Sequence, residues 1–173
     1  FGWLVEREYL EHSPVDRIKP RHVEKPRERV LSDNEIKAIW NASEDMSPSY
    51  RDWIKLLFLC GQREEETAGL RKQQLDNGVW ILGSEDTKNK TQSTVPLTIQ
   101  SKAIIDSLNG LNRGYLLSPG RVGDKPINGF SKAKRRIDKL SGITDWRWHD
   151  IRRTVSTNLA KLGYDMPLIK RII

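Results

Sequence analysis

The chain has 173 residues, with 30 lysines and arginines against 23 acids, for a net charge of +7 and a pI near 9.6. That length suits one core domain with an appendage, and the basic excess suits an anionic partner without requiring one. Cys60 is the single cysteine, which excludes an internal disulfide and a thiolate metal site; no apolar stretch approaches membrane-spanning length, and the N-terminus lacks signal-peptide character, so the reading is an intracellular protein with no membrane partner.

Residues 1–12 have amphipathic character through Trp3, Leu4, Tyr9 and Leu10, too few to make a domain alone. The following stretch, SPVDRIKPRHVEKPRER, holds three prolines and many charges and reads as an extended, solvated linker. The main domain opens at Leu31. Ser32 with Glu35 forms a capping box, and Ile36, Ile39 and Trp40 continue an apolar face. Ser47-Pro48 starts a second helix whose run Trp53 to Cys60 is nearly all apolar and therefore central, until Gly61 breaks it. Cys60, inside that run, reads as a buried, inert thiol.

A short, strongly charged helix follows, from Arg63 to Leu70. Between Val79 and Leu97 the pattern changes to strands: VWIL, then EDTK, a polar turn near Asn89–Gln92, and STVPL. Thr98 begins a helix that Asn109-Gly110 ends. Tyr115–Ser118 is a short extended piece before a Gly/Pro-rich loop, and Phe130–Leu140 is a basic helix. Trp146–Leu162 is a further helix, with Thr144 and Asp145 as caps, Gly163 as its stop, and an apolar stripe of Ile151, Val155, Leu159 and Leu162. The expected domain is mostly helical with one small antiparallel sheet. Both ends read as cut, since the chain starts at Phe1 in a helical pattern and stops at Ile173 inside the helical pattern MPLIKRII.

Four cationic or titratable groups stand out: Arg63 behind a glycine break, Lys88 at a hairpin, and His149 with Arg152. Each has an ordinary reading. Arg63 can pair with Glu66 one turn on, Lys88 can be solvated on its turn, and a histidine at a helix start can cap or fill space. As a set they offer more. His149 and Arg152 are three apart on one helical face, near a helix start whose free N–H groups favour an anion. Two arginines can each contact a phosphate bidentately, a lysine can protonate a leaving oxygen, and a neutral histidine can exchange a proton near pH 7. Fixed positive charge of this kind would stabilise a pentavalent phosphorus without a metal. The set lacks a nucleophile.

The order and flanking sequence of these groups resemble the catalytic domain of the tyrosine recombinases, the phage-integrase family. CGQREEETAGLR (60–71) resembles the family's first arginine box, with Arg63 as its arginine and Glu66 as the acid three residues on. DTKNKTQSTVPLT (86–98) resembles the lysine-bearing β-hairpin, with Lys88 at the lysine. HDIRRT (149–154) resembles the His-x-x-Arg box, giving His149 and Arg152. The resemblance implies a mainly α fold with a small three-stranded antiparallel sheet, the fold of the DNA breaking-rejoining enzymes. It makes residues 1–25 the end of an N-terminal core-binding domain plus linker, and 26–173 a catalytic domain without its C-terminal nucleophile segment.

The implied activity is site-specific recombination of double-stranded DNA through a 3′-phosphotyrosine, with no cofactor and no metal. Arg63 and Arg152 would clamp the phosphate, Lys88 would act as general acid, His149 would assist proton transfer, and Glu66 would support them. The family places a His or Trp and then the nucleophilic Tyr beyond the second arginine, and the chain stops at Ile173 before either is due. Tyr164, at the helix stop, is a poor substitute, so the sequence reads as holding no nucleophile. The parent would be a cytoplasmic, bacterial or phage-encoded integrase acting as a homotetramer on DNA. Three other readings stay open: a type IB topoisomerase or resolvase with the same chemistry, a non-catalytic DNA-binding relative, and a phosphate-binding module unrelated to DNA. Lys132, Lys134, Arg135 and Arg136 are further candidates for the DNA backbone, although a solvated helix face explains them equally well, and Lys90, next to the hairpin turn, is a candidate to reach a groove. Arg153 points about 100° away from Arg152 around the helix and could pair with an acid.

Overall fold

The structure is a computed structural model, and it describes residues 1–18, 27–87, 89–109, 114–119 and 125–173. The helices are α1 (Gly2–Glu6), α2 (Asp33–Ala42), α3 (Pro48–Cys60), α4 (Glu64–Ala68), α5 (Ile99–Asn109), α6 (Phe130–Ser141), α7 (Trp148–Lys161) and α8 (Met166–Ile172). Between α4 and α5 lies a three-stranded antiparallel sheet in the order β1 (Leu75–Asp76), β2 (Val79–Leu82), β3 (Ser93–Pro96). None of the helices among the described residues is long and apolar enough to cross a membrane.

Local chemistry sets the helix ends. Ser32 Oγ accepts from the Glu35 N–H at 3.4 Å and Glu35 Oε2 accepts from the Ser32 N–H at 2.8 Å, completing the expected capping box of α2. Pro48 sits at the first turn of α3, where its missing N–H costs nothing. Gly61 closes α3 at φ +66°, and a Cβ there would come within 3.0 Å of Val155 on α7, so glycine serves both the left-handed turn and the close approach of two helices.

Helix α3 is the centre of the core. Trp53, Ile54, Leu56, Leu57 and Cys60 are all buried, and burial pushes the Cys60 thiol up to about 12, as suits an inert side chain. Trp53 is stacked on Phe130 of α6 (5.0 Å between centroids) and meets Trp148 of α7 edge-on (4.6 Å), while Trp146 meets Trp148 at 4.9 Å. The indole N–H groups are satisfied by backbone: Trp53 donates to Glu64 O at 3.1 Å, Trp148 to Phe130 O at 3.1 Å and Trp146 to Ile143 O at 3.0 Å. One aromatic cluster therefore joins α3, α4, α6 and α7.

Four details differ from the sequence reading. Residues 85–88 do not supply a strand among the described positions: Asp86 N–H closes a turn on Gly83 O at 3.1 Å, and the Asp86 carboxylate is taken by Arg71 and Gln74. The third strand is β1, joined to β2 by Asn77 (φ +44°) and Gly78 (φ +82°), the pair of positive angles that a tight hairpin turn needs. Helix α7 starts at Trp148 rather than Trp146, because Asp150 accepts from the Arg147 N–H at 2.9 Å and Asp145 is engaged elsewhere; its last residue is Lys161. Finally, α1 covers only Gly2–Glu6; Tyr9 stacks back on Trp3 at 5.9 Å, and both rings are exposed.

Candidate active site

The turn after α3 holds Gln62 and Arg63. Arg63 caps α4: its backbone N–H donates to Glu66 Oε2 at 3.1 Å and its Nη1 to Glu66 Oε1 at 2.6 Å. The ordinary reading of Arg63 as Glu66's partner is thus fulfilled, but it does not exhaust the residue. The Glu66 side chain is 5% exposed and the Arg63 side chain 28%, so the pair leaves the guanidinium open on one side. A buried carboxylate of this kind fixes where the arginine points.

Helix α7 brings its first two turns to the same place. Arg152 Nη1 donates to Gly61 O at 3.0 Å and to Gln62 Oε1 at 3.4 Å. It forms no ion pair among the described residues. Burial and the nearby Arg63 charge pull its guanidinium down to about 10, against the opposing pull of Glu66. His149 is pushed below its ordinary value, first by burial, then by Arg152, Arg153 and Arg63, with Asp150 opposing. Burial is the first cause of both shifts, and the neighbouring arginine charges, which a bound anion would offset, come next.

Arg63, Glu66, Thr87, Arg135, His149 and Arg152 line a cleft of about 890 Å³. A second cleft, of about 520 Å³, shares Arg63, Glu66, Thr87 and Arg152 and opens toward Lys170 and Arg171 of α8. The arginines of the two boxes thus stand at the walls of both openings. Lys88 lies outside the described residues. Its neighbour Thr87 lines both clefts and closes the hairpin loop, accepting from Thr91 N–H at 3.1 Å and donating to Thr91 O at 2.8 Å.

The softer candidates divide. Arg135 is exposed at the first cleft. Lys134 also lines it, but its ammonium is held by Asp138 (2.5 and 2.6 Å) and lies 4.4 Å over the Trp146 ring. Arg136 donates to Asp45 O at 2.9 Å, while Lys132 and Lys90 are exposed and line neither cleft. Arg153 pairs with Asp150 at 3.2 Å, as its angle around the helix suggested.

Residues 29–173 match the sequence profile described as the phage integrase family. The chain belongs to that family. A curated relative, tyrosine recombinase XerC 2 of Ralstonia nicotianae, is 25% identical over 189 aligned residues, which take in all of this chain and 54% of the relative. The chain thus spans about half the length of the curated relative it matches. Among solved structures, a lambda integrase tetramer bound to a Holliday junction superimposes with a TM-score of 0.71 at 15% identity, covering 100% of this chain and 54% of that one. XerA recombinase gives 0.67 at 21% identity, covering 93% of this chain and 59% of that one. XerH recombinase bound to its difH substrate gives 0.67 at 17%, covering 94% and 51%. At these identities the structural likeness establishes the fold: mainly helical, with a small three-stranded antiparallel sheet.

Within this integrase-family domain, three cleft-lining cations escaped the sequence reading: Arg147, Lys170 and Arg171. Arg147 adjoins the His-x-x-Arg box but shows no spacing of its own. Lys170 and Arg171 reach the site because α8 packs on β3 and α7, and Gln62 Nε2 donates to Ile172 O at 2.7 Å. Those are tertiary contacts without a local signature.

Proposed function

We propose that the cleft binds a DNA phosphodiester, and that the protein to which this domain belongs is a site-specific recombinase of the integrase type. The observation that supports it best is the convergence of Arg63, His149 and Arg152 on one cleft, with Arg152 free of any carboxylate ion pair among the described residues.

In the reaction, a tyrosine oxygen attacks the phosphorus; the new P–O bond makes a 3′-phosphotyrosine while the bond to the 5′-oxygen breaks, and that oxygen takes a proton. Arg63 and Arg152 bind the non-bridging oxygens and stabilise their growing charge. Lys88 is the general acid for the leaving 5′-oxygen. His149, neutral near pH 7 with its value depressed, accepts or passes a proton. Glu66 holds Arg63 in place. The phosphotyrosine stores the bond energy, so rejoining needs no cofactor.

None of the four tyrosines lines either cleft. Tyr50 donates to Asn128 O, Tyr9 stacks on Trp3, Tyr115 pairs with Arg71 as an isolated β-bridge, and Tyr164 is exposed beyond α7. The nucleophile on this reading comes from outside residues 1–173, and the recombining species is a homotetramer on double-stranded DNA in the cytoplasm, with residues 1–25 leading in from a core-binding domain.

Fluorescence anisotropy with a duplex, followed by a denaturing gel with nicked duplexes, tests this. The 173-residue chain is expected to bind with an affinity that falls linearly on a log–log salt plot, at roughly 0.9 per phosphate neutralised, and to leave no covalent adduct. A flat salt response would count against the phosphate cleft. A covalent adduct would place the nucleophile within these residues.

A further inference from the structure

The chain entering the domain is fastened to the back of α7. Arg27 Nε donates to Asp150 Oδ2 at 3.1 Å, and Arg27 Nη2 donates to Asp145 Oδ1 at 2.7 Å and to Asp145 O at 3.0 Å. Four residues on, the Leu31 N–H donates to Thr154 Oγ1 at 2.9 Å, and that hydroxyl donates to Asp150 O at 2.7 Å. Leu31 is itself buried in the core. The segment 27–31 therefore meets α7 at two points one helical turn apart, Asp150 and Thr154.

Asp150 gathers these contacts. Its side chain is 2% exposed and accepts from three donors: Arg27, the Arg147 N–H at 2.9 Å and Arg153 Nη1 at 3.2 Å. Leaving a carboxylate buried to this degree without partners is costly, so its three donors are structural requirements of this turn. At 100° per residue, the Asp150–Thr154 face lies about 150° around α7 from the His149–Arg152 face. What grips the first face fixes the rotation of the helix about its axis, and so the aim of the second.

We propose that Arg27 is a positioning residue for the phosphate-binding face of α7: through Asp150 it sets the rotation of the turn that carries His149 and Arg152, and it couples that turn to the chain segment leading into the domain. This rests on the reading of the cleft as the phosphate site. A misplacement of about 1 Å at reacting groups costs on the order of a hundredfold in rate, so a small release of the helix is consequential.

The variants are Arg27→Ala, Arg27→Lys and Arg29→Ala. Arg29 also contacts Asp145 O, Val30 O and Glu35 but not Asp150, so it controls for local loosening of the same segment. In the 173-residue chain, the readouts are the melting temperature and the His149 ring signals by NMR. In the protein carrying the nucleophile, they are kcat and KM for cleavage. Arg27→Ala is expected to move the His149 signals and to lower kcat by about ten- to a hundredfold, with a smaller change in KM. Arg27→Lys keeps a charge within reach of Asp150 but cannot bridge Asp150 and Asp145 together, and is expected to restore part of the loss. Arg29→Ala leaves the His149 signals and kcat near wild type.

The His149 signals remain readable even where the wild-type protein cleaves no DNA, so a failure of the recombinase reading is distinguishable from a failure of this one. If Arg27→Ala prevents folding, Arg27→Lys against Arg29→Ala gives the same comparison. An Arg27 variant that lowers the melting temperature while His149 and kcat stay at wild-type values reduces Arg27 to a stabilising ion pair and overturns the proposal.

Discussion

Arg152→Lys is expected to slow DNA strand cleavage by the nucleophile-bearing protein by about two to three orders of magnitude, the loss typical of removing one oriented donor from a developing oxyanion. The expected cause is geometric and electrostatic together. The guanidinium commits Nη1 to Gly61 O and Gln62 Oε1, which leaves its other donors to meet a phosphate. A lysine keeps the charge but loses the planar fork and cannot serve both roles. It would also inherit the burial and the Arg63 charge that already pull Arg152 down to about 10, an environment that disfavours a protonated amine. Single-turnover cleavage, with thermal melting as a control for folding, reads the effect. A rate within about threefold of wild type would remove Arg152 from the chemistry.

Trp53→Ala is expected to cost about 3–5 kcal/mol of stability, the range for truncating a large buried aromatic. Its ring is fully buried against Phe130 and Trp148, and the indole N–H satisfies the Glu64 carbonyl at the start of α4. Truncation opens a cavity between α3, α6 and α7 and removes the indole donor from that carbonyl. With domain stabilities of roughly 5–15 kcal/mol, the loss takes a large share of the total. Urea unfolding measures it. Trp53→Phe, which keeps most of the volume and forfeits the hydrogen bond, should fall well short of the alanine variant. Equal losses from the two substitutions would mean that packing is not what Trp53 supplies.

The α2 capping box, the proline start and glycine stop of α3, and its apolar run were legible because each is a local rule written in adjacent residues. The convergence of Arg63 with His149 and Arg152 was legible only through the family likeness, since no periodicity links positions so far apart. The strand assignment went astray at Glu85–Thr87. Alternation there was weak, and the decisive signal lay earlier, in Asn77-Gly78, the two-residue turn that pairs Leu75 with Trp80. The start of α7 was read two residues early because Asp145 has the chemistry of a cap; its carboxylate is spent on Arg27, over a hundred residues away in sequence. Lys170, Arg171 and the Arg27–Asp150 pair were illegible for the same reason. Their roles exist only once α8 and the segment before α2 have packed.

The most direct test is the titration of the His149 ring by NMR, with and without a duplex. In the free protein its value lies below 6.5, so its neutral form contributes stability that is present above the unfolded value and lost as pH falls through the folded one. A phosphate in the cleft offsets the charges of Arg63, Arg152 and Arg153 and raises that value. Binding then takes up a proton between the free and bound values, and affinity rises as pH falls through that window. An upward shift of the His149 titration on saturation with DNA is the expected result. A duplex that binds while the His149 titration stays where it was, or moves down, would contradict a phosphate in this cleft.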